Sequence, residues 1–274
     1  MRMIIRQKKV LKVSKWLEYT SAFEEGTENP YFEVDSTYQA LSSVKKLLKE
    51  KKGQMIFLLG QPGSGKTYLL NYLLKDDELE NKPVYFETPL SSPKDFFIRL
   101  IKHMKQNPIS DDLEALKEQA EVLYTDTKTL ILLDEAQLID MMTLEFVRIL
   151  SDSRVFWVVC AMHEEEGKEL LSKKHFKSRP HKVIELGKLS FQESELYINT
   201  QLGFTHDKSI LDFHQSQAKR IYKLSNGNFR YLKKLMYTEF SLLHEAQEMN
   251  MKKFQVPSKA LLTMAAIEIG LINV

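Results

Sequence analysis

The stretch Gly60-Gln61-Pro62-Gly63-Ser64-Gly65-Lys66-Thr67 places glycines, a lysine and a hydroxyl at the spacing of a Walker A loop, which wraps the phosphates of a nucleoside triphosphate. Its glycines allow successive backbone N–H groups to turn inward, Lys66 has the reach to meet the β- and γ-phosphates, and Thr67 offers a hydroxyl to Mg²⁺. With Tyr68 behind it, the whole run from Gly60 is the candidate nucleotide-binding set. Downstream, Thr129-Leu130-Ile131-Leu132-Leu133-Asp134-Glu135 is an apolar run that ends in two acids, the pattern of Walker B. Asp134 is expected to hold Mg²⁺, directly or through water, and Glu135 to polarise the attacking water. The competing reading is an exposed acidic pair that caps the next helix.

These residues need a scaffold, and the hydrophobic pattern supplies one. Five apolar runs read as strands: Met55–Leu59, Val84–Glu87, Leu130–Leu133, Val155–Cys160 and Val183–Leu186. Between them Pro93 to Met104, Asp112 to Leu123 and Thr143 to Leu150 read as helices, as does Tyr68 to Leu74 directly after the loop. Alternation of this kind predicts a parallel sheet covered on both faces, with the phosphates at a helix N-terminus. After Leu186 no strand is expected. Ser190-Phe191-Gln192-Glu193 is a capping box opening a helix to about Leu202, and helices over Lys208 to Leu224, Phe229 to Gln247 and Pro257 to Ile269 complete an all-α unit. Asn226-Gly227 makes a turn within it. The predicted organisation is a basic lead-in over 1–34, an α/β P-loop domain over 35–187 and a helical lid over 188–274. In the lead-in, Val10, Val13 and Leu17 share a helix face, either packed on the protein or docking on acidic lipid or a partner.

The chain has 274 residues, a net charge of +2, 43% hydrophobic and 28% charged residues, which suits a globular protein of two modest domains and says little about partners. The single Cys160 lies inside an apolar run and reads as a buried thiol in a reducing compartment. No run has the length of a membrane span or the unbroken apolar core of a secretory signal. A cytoplasmic location follows as the expectation, with peripheral attachment at the inner membrane through a partner left open. Met236, Met249, Met251 and Met264 are expected in the helical core. His206, His214 and His244 lack any spacing for a metal site.

A P-loop α/β domain followed by a small helical lid resembles the AAA+ ATPases. Asn29-Pro30-Tyr31-Phe32 with the helix after it is similar to the corresponding segment of the general-secretion-pathway ATPases and of the transposition ATPases. So are Phe176-Lys177-Ser178-Arg179 ahead of the last strand and Gly227-Asn228-Phe229-Arg230 in the lid. The resemblance implies a five-stranded AAA+ sheet, ATP and Mg²⁺ as cofactors, and the reaction of ATP with water to give ADP and phosphate. It also implies catalytic roles: Arg230 would report the γ-phosphate from the lid, and Arg179 would act as an arginine finger on a neighbouring subunit. Solvated arginines are the alternative at both positions, Arg179 within a segment already basic through Lys173, Lys174, Lys177 and Lys182. The polar residue expected after the fourth strand falls at His163, which either positions water or is a surface histidine before Glu164-Glu165-Glu166. Thr88 is the candidate for orienting Glu135.

The resemblance further implies a homo-oligomer that acts as a motor or switch for an envelope secretion, pilus or DNA-uptake system, attached through a protein partner. The other setting is a DNA-associated ATPase of transposition or replication type, using the basic lead-in and the segment from Lys168 to Lys182 to neutralise phosphates without reading sequence.

Overall fold

Parallel strands buried on both faces need a helix layer on each side, and the alternation of side chains along them decides which layer each residue meets. The computed structural model describes residues 14–24, 26, 32, 34–49, 54–79, 82–88, 90–125, 127–152, 155–177, 181–203 and 207–273. Its strands are β1 (Met55–Gly60), β2 (Val84–Phe86), β3 (Thr129–Leu133), β4 (Phe156–His163) and β5 (His181–Leu186). They form one parallel sheet in the order β2-β3-β4-β1-β5. The helices in chain order are α1 (Lys15–Ala22), α2 (Asp35–Leu48), α3 (Lys66–Leu74), α4 (Pro93–His103), α5 (Leu113–Tyr124), α6 (Met141–Ser151), α7 (Glu164–Ser172), α8 (Lys174–Lys177), α9 (Phe191–Leu202), α10 (Lys208–Ser225), α11 (Phe229–Glu248) and α12 (Lys259–Glu268).

Ile56 and Leu58 of β1 face one layer, where they meet Leu41 and Val44 of α2 and Leu69, Leu70 and Leu73 of α3. Met55, Phe57 and Leu59 face the other, built from Phe96, Phe97 and Leu100 of α4, Leu116 of α5, Val147 of α6 and Leu170 of α7. The five expected strands all form, and β4 continues to His163, three residues past the predicted end. The chain makes two compact units, Pro30–Leu189 and a second composed of Met1–Asn29 with Ser190–Val274.

In the second unit the capping box forms in both directions: Glu193 N–H donates to Ser190 Oγ at 3.2 Å and Ser190 N–H to Glu193 Oε2 at 2.7 Å. Asn226 (φ 50°) and Gly227 (φ 66°) make the left-handed turn that ends α10, and Asn228 caps α11. Helix α1 packs on α11, with Trp16, Tyr19 and Phe23 stacked around Phe240. Leu17, expected inward, is 42% exposed, because the aromatic residues on the opposite side bury more area; Val10 and Val13 lie outside the described residues. The methionines also divide. Met236 is fully buried, whereas Met249, Met251 and Met264 are exposed at or beyond helix ends or on an outer face.

Candidate functional site

β1 delivers the loop. Gly60 ends the strand, and a Cβ placed there would stand 2.5 Å from Ser64 Oγ and 2.8 Å from the Leu186 carbonyl, so the close approach admits only glycine. Gly65 caps α3 at φ 98°, a conformation that L side chains rarely adopt. Lys66 is buried, 6% exposed, and its ammonium donates to the carbonyls of Gly60 at 2.8 Å and Gln61 at 3.2 Å. The cation is therefore held over the loop rather than out in solvent. Ser64 Oγ is buried with no hydrogen-bond partner among the described residues. Left-handed glycines, a buried cation and an orphaned hydroxyl at a helix N-terminus fit an anionic phosphate chain. Thr67 and Gln61 are exposed, and Tyr68 is half-buried, its phenol pushed up by burial against an opposing hydrogen bond with the Phe32 backbone.

Two strands away in the sheet, β3 leads directly into Asp134, which is 5% exposed. Its backbone N–H donates to the Phe86 carbonyl at 3.2 Å, its Oδ1 accepts from the Glu135 N–H at 2.9 Å, and its Oδ2 accepts from the Tyr85 phenol at 3.4 Å. Burial, then the charges of Asp134 and Glu87, hold the Tyr85 pKa well above its ordinary value, so the phenol stays a donor. Asp134 is thus held in place at the carboxyl end of the sheet. Among the described residues no cluster of three or more metal-ligating side chains occurs. A divalent ion held by Thr67 and Asp134 would draw its remaining oxygens from nucleotide phosphates and water, the usual arrangement for Mg²⁺.

Glu135 adopts a left-handed backbone, φ 46° and ψ 40°, which for a residue with a side chain carries strain of about 1–3 kcal/mol. Its carboxylate Oε2 accepts a short hydrogen bond from Gln137 Nε2 and lies 3.6 Å from His163 Nε2. The other nitrogen of His163 lies 3.7 Å from Glu166 Oε1. His163 itself ends β4, in register with Gly60 of β1, so loop, histidine and acids occupy the carboxyl ends of three neighbouring strands. Adjacent strands stand about 4.8 Å apart, which sets the span between loop and acids at roughly 10 Å.

Other expected residues fall elsewhere. Thr88 is turned to α4, its hydroxyl accepting from Arg99 at 2.9 Å, with no hydrogen bond to Glu135 among the described residues. Arg179 and Ser178 lie outside the described residues. Arg230 is the second residue of α11 and is exposed, in the helical unit. In the basic segment, Lys168 pairs with Glu164 and Glu185 and Lys173 with Glu169, so part of its charge is met by its own neighbours. Tyr85 and Gln137 had not been singled out from the sequence. Gln137 carries a usable signal, since it follows the paired acids by two residues; Tyr85 carries none, because only pairing of β2 with β3 brings it to Asp134.

Residues 49–170 match the family described as an AAA domain. No curated protein matches the chain. Among solved structures, the chain is similar to the ORC2 protein of Aeropyrum pernix in its ADP form, at 14% identity over 90% of this chain and 72% of that one, with a TM-score of 0.61. It is similar to the ADPNP–ADP complexes of the same protein at 15% identity, 90% and 71% coverage and a TM-score of 0.59. Cdc6p from Pyrobaculum aerophilum gives 15% identity, 84% and 66% coverage and a TM-score of 0.62. At such identities the likeness speaks for the fold. The chain has the AAA+ fold, a parallel five-stranded sheet between helices followed by a helical region. No helix among the described residues is long and apolar enough to cross a membrane.

Proposed function

We propose that this protein binds ATP with Mg²⁺ and hydrolyses it to ADP and phosphate. The observation that carries the reading is the placement of Lys66 in the loop and of Asp134 and Glu135 at the carboxyl ends of strands in one sheet. Gly60 to Tyr68 hold the triphosphate; Thr67 and Asp134 hold the metal, which supplies charge neutralisation at the phosphates when bound. Glu135 takes the proton of the attacking water. Arg230 responds to the γ-phosphate, and Arg179 completes the site of a neighbouring copy, making turnover depend on assembly. The domain roles follow: an ATPase domain over 35–187, a lid over 188–274 and a basic lead-in over 1–34.

Two variants test the reading. Glu135→Gln should retain nucleotide and lose turnover, whereas Lys66→Ala should lose tight nucleotide binding itself. Equal turnover in Glu135→Gln and the parent would remove Glu135 from its role.

The proposed setting is a cytoplasmic homo-oligomer that serves an envelope assembly through a partner, or acts on DNA without sequence preference, as the resemblance to secretion and transposition ATPases implies. Light scattering after size-exclusion chromatography, with ATP alone and then with duplex DNA, separates the two. Growth in mass with ATP alone supports the first; growth only with DNA, lost as salt is raised, supports the second.

A further inference from the structure

Gln137 has no role in the reading above, and its surroundings are unusual for a half-buried amide. Its Nε2 donates to Glu135 Oε2, the same oxygen that His163 Nε2 faces at 3.6 Å. Its own carbonyl oxygen, Oε1, is buried and has no hydrogen-bond partner among the described residues. Leaving such an acceptor unpaired is costly, and native interiors rarely tolerate it. Turning the amide over gives no relief, since that would press its oxygen against the carboxylate. The residue also sits in the 3₁₀ turn Ala136–Leu138, which follows directly on the strained backbone of Glu135 and is closed by a hydrogen bond from Leu138 N–H to the Glu135 carbonyl at 2.9 Å. Donor, acceptor and general base are thereby tied to one short turn.

We infer that Gln137 positions the base of the hydrolytic step: its N–H holds Oε2 of Glu135, and the unpartnered carbonyl behind it shows that this contact with the carboxylate sets the amide's orientation. Because Oε2 is occupied, Oε1 of Glu135 is the oxygen that receives the proton. The water oxygen bonds to the γ-phosphorus as its proton passes to Glu135, and the bond from that phosphorus to the bridging oxygen breaks with its electron pair leaving on ADP. The water's second hydrogen stays on the phosphate product, and Glu135 releases its proton to solvent. This assignment rests on the ATPase reading.

Two substitutions test it. Gln137→Met keeps the volume and removes donor and acceptor; Gln137→Glu keeps acceptors and removes the donor. Both are expected to lower kcat about 10- to 100-fold, the scale on which single positioned hydrogen bonds act in a reaction site. Affinity for a fluorescent ATP analogue should stay within about threefold, since neither change touches the phosphate loop. Parent-like kcat would overturn the inference, and so would a loss of affinity equal to the loss of turnover. If Gln137→Met does not fold, the kcat and affinity of Gln137→Glu decide. Glu135→Gln in the same assay keeps the two levels apart. A parent that turns over no ATP removes the ATPase reading, turnover equal to the parent in Glu135→Gln removes the base and this inference with it, and a silent Glu135→Gln beside an unimpaired Gln137→Met removes the inference alone.

Discussion

His163 Nε2 stands 3.6 Å from Glu135 Oε2, and the same ring's Nδ1 stands 3.7 Å from Glu166 Oε1. One imidazole at the end of β4 thus spans the candidate base and an exposed acid on the first turn of α7. Restraint of a general base contributes to the chemical step without touching the phosphates, so His163→Ala should lower kcat about tenfold. Nucleotide affinity should not change. Steady-state turnover beside a binding titration reads both quantities, and an equal fall in the two would assign His163 to holding the loop instead.

The candidate loop and the paired acids can be read from the sequence because each is local in it: Lys66 and Thr67 are adjacent, and so are Asp134 and Glu135. The sheet was legible from its apolar runs. What the sequence left open depends on neighbours brought together by strand order. His163 has the sequence surroundings of a surface residue, and only the pairing of β4 with β1 to the level of Gly60 brings it to the site. Helix α7 went unread for a related reason. Glu164, Glu165 and Glu166 look like a solvated charge run, yet acids in a first turn favour a helix start, and Gly167 and Leu170 are the residues α7 buries. In α1, Leu17 satisfied the apolar spacing, but the burial was decided by Trp16, Tyr19 and Phe23, whose partner Phe240 is over two hundred residues away.

Gly60→Ala tests the loop's geometry separately from its charges. The added methyl would meet the Leu186 carbonyl at 2.8 Å, and a backbone atom in β5 cannot swing aside as a side chain can. Overpacking of this kind costs about 1–3 kcal/mol. Urea unfolding should show that loss, and the ATP titration should show weakened binding from a displaced loop. An unchanged unfolding midpoint would mean that the strands separate more easily than their pairing suggests.

Tyr85→Phe isolates the support given to Asp134. The phenol donates to Oδ2 at 3.4 Å and remains protonated, so its removal frees one carboxylate oxygen to rotate. Residues that orient a metal ligand typically contribute about 10-fold or more to metal affinity, and a rise of roughly tenfold in the Mg²⁺ concentration for half-maximal turnover is expected. The plateau rate at saturating Mg²⁺ should change little. A fall in that plateau with no change in the Mg²⁺ requirement would count against Asp134 as the residue that Tyr85 serves.

His214 and Glu239 form a buried pair in the helical unit, both fully inaccessible, with Nε2 and Oε2 3.0 Å apart and His214 Nδ1 at 2.8 Å from the Ile210 carbonyl. Burial pushes the His214 pKa down, but the charge of Glu239, its hydrogen bond and the Ile210 carbonyl outweigh that, and the net direction is up from 6.5. The folded state therefore binds this proton more tightly than the unfolded state does. Its contribution to stability is present in full below about 6.5 and is lost as pH rises through the folded value. Urea unfolding across that range should show stability declining on the alkaline side. His214→Ala leaves Glu239 buried without its partner, its Oε1 already unpartnered among the described residues, and should cost about 3–5 kcal/mol. Replacing both residues with leucine removes the charges together, so the cost should be far smaller and the alkaline decline due to this proton should vanish. A decline that persists unchanged in the double variant would assign the linkage to another group and leave the pair a packing feature of α10 against α11.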